Sequence, residues 1–119
     1  MELTRSELEI MDVLWEAGEP LSRSDLLERS QEKSWTDSSI HILLNGMLQK
    51  NMIREAGFVK RSKTYGRTFE PTMSREAYYA NMVFCRKFPP DMTGLIRELL
   101  AREEATAQTV AAVREMISE

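Results

Sequence analysis

Ser38, His41, Ile42, Asn45 and Gln49 recur at helical spacing in a stretch that has no lysine or arginine between Asp37 and Lys50. Their chemistry suits the edges of base pairs. Asn and Gln can each bridge N6 and N7 of an adenine, a serine hydroxyl donates or accepts, and an outward isoleucine packs on a thymine methyl. His41 could meet a base or a phosphate. Thr36 and Ser39 stand at the start of the same stretch, where free backbone N–H groups of a helix suit a phosphate oxygen. None of these side chains brings a fixed positive charge. On their own they could equally be a plain solvated helix face.

The charge comes next in the chain. Residues 50–67 hold Lys50, Arg54, Lys60, Arg61, Lys63 and Arg67 against Glu55 alone, a net of +5. Residues 1–37 hold 4 Lys/Arg against 10 Asp/Glu, a net of −6, and the whole chain of 119 residues carries −3. Binding to a polyanion depends on the potential of the face presented, not on the total. Lys60, Arg61 and Lys63 cluster at the tip of an expected hairpin, with Arg67 on its second strand. Such tips are often cationic for solubility alone. Directly behind an uncharged helix, they suggest a division of labour: the hairpin supplies affinity and the helix supplies selectivity.

These groups need elements to position them. Thr4 with Glu7, and Ser22 with Asp25, form two capping signatures, each opening a helix. Leu8, Met11, Leu14 and Trp15 make the first helix's stripe, and Gly18 ends it. Pro20 forces a short extended link, and Leu26 and Leu27 face inward from the second helix. The third helix is expected from a Thr36 cap to an Asn51 stop, with Ile40, Leu43, Leu44, Met47 and Leu48 inward. "MIREAGFVKR" and "TYGRTFEP" are two β-leaning runs around "SK" that read as a hairpin, with Ile53, Phe58, Val59, Tyr65 and Phe69 as its packing or stiffening residues. A further helix starts from Ser74, and Pro89–Pro90 break it. Met92, Leu95, Ile96, Leu99 and Leu100 form the next stripe, and Val110, Val113 and Ile117 continue it.

Several classes are disfavoured. The chain has one cysteine, Cys85, and one histidine, so no internal disulfide forms and a closed zinc site is unexpected. Cys85 reads as a packed or half-exposed small apolar residue and not a redox sensor, and the two tryptophans read as packing residues. No glycine-rich phosphate loop and no catalytic grouping stands out, so neither an enzyme nor a cofactor is expected. No apolar run approaches the roughly 18 residues of a membrane span, and no signal pattern opens the chain. A cytoplasmic protein is expected, without membrane insertion.

"LEIMDVLW", "W-x-x-S-S-I-x-x-LL-x-x-ML-x-K" and "TYGRTFEPTMSREAYY" together resemble the penicillinase and methicillin-resistance repressors, over about residues 3–100. The resemblance implies a mainly α fold with a small β-hairpin. A winged helix-turn-helix domain (1–72) would precede a helical dimerisation region (73–119). It implies a homodimeric transcriptional repressor on a palindromic double-stranded DNA operator. In that family repression is relieved by a membrane metallopeptidase sensor that cleaves the dimerisation helices, or by copper at C-terminal cysteines. This chain departs from the pattern. The family usually places Lys where Ser38 and His41 stand, Thr where Ile42 stands and Arg where Gly46 stands. The cleaved Asn-Phe pair and the terminal cysteines are absent from it.

Tyr78, Met82, Leu95, Ile96, Leu99, Leu100, Val110, Val113 and Ile117 are the candidate dimer residues, more apolar than a peripheral helix can easily hide. The rival arrangement packs these helices on the N-terminal domain in a monomer. The rival function is a winged-helix module that binds protein rather than DNA, favoured by the acidic total, the uncharged helix and Gly46.

Overall fold

The computed structural model describes residues 2–61, 64–102 and 107–118, with the side chains of these residues other than 59–61 and 64–65. The chain forms two compact units, residues 1–82 and 83–119.

Helix α1 (Arg5–Ala17) opens with the expected reciprocal cap. Thr4 Oγ1 accepts the Glu7 N–H at 3.2 Å, and Glu7 Oε1 accepts the Thr4 N–H at 2.9 Å. Gly18 closes the helix at φ 67°, a left-handed conformation that costs glycine nothing. Strand β1 (Leu21–Ser22) leads into α2 (Arg23–Arg29), capped reciprocally by Ser22 and Asp25. A 3₁₀ turn (Asp37–Ser39) precedes α3 (Ile40–Gln49), and Asn51 stops α3 at φ 59°. Strands β2 (Ile53–Arg61) and β3 (Thr64–Pro71) make the hairpin. A bulge between Glu55 and Gly57 shifts its register.

The Pro20 link does more than connect. Leu21 pairs with Phe69 and Ser22 with Thr68, so β1 adds a third antiparallel strand in the order β1-β3-β2. The hairpin is thereby anchored at its base, where an isolated two-stranded ribbon would be marginal.

The core lies between this sheet and the helices. Ile10, Met11 and Leu14 of α1, Leu26 of α2, Ile40, Leu44 and Met47 of α3, Ile53 and Phe69 are all buried. Each such side chain contributes roughly 1.5–3 kcal/mol relative to exposure. Leu8, Trp15, Leu27, Leu43 and Leu48 pack at the margin. Ile10 belongs to this core although it stands outside the expected stripe. Phe58, expected as a packing or stiffening residue, is 70% exposed and so lies outside the core. Val59 and Tyr65 lie outside the described side chains.

Helix α4 (Arg75–Phe84) follows the hairpin, and its early residues pack on the first unit. Tyr78 is 5% exposed in the core of the first unit. Its ring lies 5.9 Å from that of Trp15, and its hydroxyl accepts the Leu3 N–H at 3.4 Å. Trp15 Nε1 donates to the Met73 carbonyl at 2.9 Å. Arg75 pairs with Glu16 at 2.9 Å and Asp12 at 3.4 Å, over the Trp15 ring. Met82 packs at the margin of the same core. Tyr78 is thus part of the first unit's core, and Met82 lies at its margin.

In the second unit, α5 (Met92–Leu100) is capped by Asp91, whose Oδ2 accepts the Gly94 N–H at 2.9 Å, and α6 spans Ala107–Ser118. Met92, Ile96, Leu99 and Ile117 are exposed, while Leu95, Leu100, Val110 and Val113 are half-buried. Among the described residues no helix is long and apolar enough to cross a membrane.

Candidate nucleic-acid interface

The third helix presents the expected side outward. Ser38, His41, Ile42, Asn45 and Gln49 are exposed opposite buried Ile40, Leu44 and Met47, and Ile42 is 75% exposed.

The start of the element differs from expectation. Thr36 caps the 3₁₀ turn, and α3 begins only at Ile40. No Thr36 side-chain bond reaches a backbone N–H. Instead Thr36 Oγ1 lies 2.8 Å from Ser39 Oγ and 3.2 Å from Ser38 Oγ. Three hydroxyls thus form one cluster at the head of the helix, with Ser39 half-buried.

The loop before this turn is tied to α1. Glu9 accepts from the Ser34 N–H at 2.9 Å and the Ser34 hydroxyl at 2.7 Å. Those bonds, backbone first, hold the Glu9 carboxyl below the usual carboxylate range. Lys33 pairs with Asp37 at 2.8 Å and lies over the Trp35 ring.

The basic block behind the helix is less free than its sequence suggests. Lys50 pairs with Glu7 at 2.5 Å and Arg54 with Glu70 at 2.8 Å. Arg67 pairs with Glu55 and lies over Phe69, 5.3 Å from the ring centre. The Arg67–Glu55 pair is exposed and worth only about 0–1 kcal/mol, so a phosphate can compete for it. Lys60 and Arg61 end β2. Their side chains, and the whole of Lys63, lie outside the described residues.

Two features escaped the sequence reading. Glu7 is only 4% exposed. Burial pushes its carboxyl up, but the Lys50 ammonium and the Thr4 N–H outweigh this and hold it below the usual range. Gly46 is the matching feature on α3. A Cβ there would stand 2.9 Å from Glu7 Oε2, so glycine admits the carboxylate between the helices. The family's Arg at this position has no room here unless that carboxylate moves. The second feature is Arg23 at the start of α2, whose guanidinium touches His41 Nε2. Only the third dimension brings positions 23 and 41 together.

Among the described residues no group of three or more His, Cys, Asp or Glu is placed to hold a metal ion. The family model described as "Penicillinase repressor" matches residues 3–119. The chain belongs to the penicillinase repressor family. Members of this family are DNA-binding transcriptional repressors and not enzymes, and the winged-helix arrangement of the first unit agrees with that class. No curated protein matches. Among solved structures, the adhesin competence repressor of Streptococcus pyogenes is similar at 14% identity and a TM-score of 0.47, covering 98% of this chain and 77% of that one. The ferric uptake regulator of Helicobacter pylori, described as having three functional metal-binding sites, is similar at 19% identity and 0.45, covering 77% of this chain and 76% of that one. Both likenesses are too loose to carry any residue's role across to this penicillinase-repressor family member.

Proposed function

We propose that this chain represses transcription as a homodimer on a palindromic operator. The outer side of α3 enters the major groove, where Ser38, His41, Ile42, Asn45 and Gln49 meet base edges. The hydroxyl cluster of Thr36, Ser38 and Ser39 and the wing cations Lys60, Arg61, Lys63 and Arg67 meet the backbone. The observation that carries this reading is the strongly exposed Ile42 on a helix whose opposite side is fully committed to the core.

The exposed apolar residues of α5 and α6 support self-association, since a twofold partner would cover them. In a dimer the two α3 helices would stand roughly 34–36 Å apart, or a multiple of that, to reach successive major grooves. Relief by a membrane metallopeptidase would require a cut in the second unit. A metallopeptidase gene beside this one would support that partner.

The test is a gel shift of the full chain on its own upstream region at low salt. Retarded complexes that resist competition by unrelated duplex are the expected result. Paired carboxylates on Lys50, Arg54 and Arg67 favour the second reading, a module that docks on protein. No shift at micromolar protein, with the dimer intact, would select it.

A further inference from the structure

Eight cationic side chains are described within residues 1–82: Arg5, Arg23, Arg29, Lys33, Lys50, Arg54, Arg67 and Arg75. Among these described residues seven are paired with carboxylates, from Arg5 on Glu9 to Arg75 on Glu16 and Asp12. Arg23 is the exception. Its Nη1 rests on His41 Nε2, on the exposed side of α3.

An arginine can only donate, so in this contact His41 Nε2 is the acceptor. That ties an uncommitted guanidinium to the helix that has no cation of its own. Arginine's fork has five donors, and one bond to His41 leaves the others for a phosphate oxygen pair. Any of the other seven must first release a carboxylate; Arg23 need not.

We propose that Arg23 is a DNA-backbone contact, and that His41 is its positioning residue more than a base reader. Arg23 thereby supplies from α2 the positive charge that the α3 surface lacks. This inference rests on the DNA-binding reading given above. It assigns to α2 part of the affinity otherwise ascribed wholly to the wing.

The test uses the full chain and a fluorescein-labelled duplex of mixed sequence, about three helical turns long. Binding is followed by anisotropy between about 50 and about 200 mM salt. Arg23→Gln is expected to make the slope of log K against log salt shallower by about 0.9 per subunit, with binding about tenfold weaker at the lower salt. Arg23→Lys keeps the charge and should keep the slope. His41→Ala should weaken binding at an unchanged slope, because the cation remains while its support is lost. Thermal melts accompany each variant; Arg23 is exposed, so unchanged melting is expected. If the parent chain binds and Arg23→Gln keeps the parent slope, this inference is overturned and the DNA-binding reading survives. If His41→Ala alone flattens the slope, the charge was on His41 and the assignment to Arg23 is wrong. If the parent chain binds no duplex at low salt, both readings fall together.

Discussion

Lys50 Nζ lies 2.5 Å from Glu7 Oε1, the same oxygen that accepts the Thr4 N–H at 2.9 Å. One carboxylate therefore closes the cap of α1 and fastens the C-terminal end of α3 to it. This pair sets where the outer face of α3 points relative to the rest of the first unit. Glu7 is buried and Lys50 half-buried, so a phosphate reaching Lys50 would first have to displace the Glu7 carboxylate.

Glu7→Ala should destabilise the first unit by about 2–4 kcal/mol, because it removes a capping bond and leaves Lys50 half-buried without its counter-ion. Urea denaturation followed by circular dichroism measures this as a lower midpoint at unchanged m-value. A loss under about 0.5 kcal/mol, typical of an open surface site, would contradict the burial of the pair.

The pair also imposes a pH dependence of definite sign. The folded-state pKa of Glu7 is lowered, since the Lys50 and Thr4 bonds outweigh the upward push of burial. Its contribution is therefore complete above the unfolded carboxylate range near pH 4.3 and is lost as pH falls through the lower folded value. Glu9, also lowered by its Ser34 bonds, acts in the same direction. Unfolding free energy should fall between about pH 5 and pH 3, and Glu7→Gln should flatten that fall. An identical acid limb in the variant would show that Glu7 is not responsible.

Gly46 tests the same contact from the other side. A glycine-to-alanine change inside a helix ordinarily stabilises by about 1 kcal/mol. Here the new Cβ meets Glu7 Oε2 at 2.9 Å. Gly46→Ala should therefore gain clearly less than that in the parent chain, and the full gain should return in the Glu7→Ala background. Equal gains in both backgrounds, from a double-mutant cycle, would mean the carboxylate yields freely.

The wing cations should act additively on salt dependence. Lys60→Ala with Arg61→Ala and Lys63→Ala should reduce the salt slope of DNA binding by roughly 2.7 per subunit. Arg67→Ala should reduce it by less, since Arg67 already shares its charge with Glu55. An unchanged slope in the triple variant would take the wing out of the account.

Truncation separates the two units. Residues 1–82 retain Tyr78 against Trp15 and should melt cooperatively as a monomer, whereas the full chain should sediment as a dimer. Residues 1–72 lose the buried Tyr78 and should be less stable by about 3–5 kcal/mol, the usual cost of removing a large buried aromatic. A full chain that sediments as a monomer would refute the dimer.

Local chemistry was legible without any structure. Capping boxes at Thr4 and Ser22, stops at Gly18 and Asn51, the apolar stripe of α3 and the existence of the hairpin all depend on neighbours within a few residues, and the sequence alone determined them. The outward set Ser38, His41, Ile42, Asn45 and Gln49 followed from the same 3.6-residue period. What the tertiary structure decided involves distant positions. Leu21 meets Phe69, Tyr78 closes over Trp15, Lys50 finds Glu7 past Gly46, and Arg23 reaches His41. A charge count along the chain cannot see which cations are already neutralised, because pairing depends on distance in space. That is why residues 50–67 are strongly basic as a sequence, yet Lys50, Arg54 and Arg67 are each paired with a carboxylate once the chain folds.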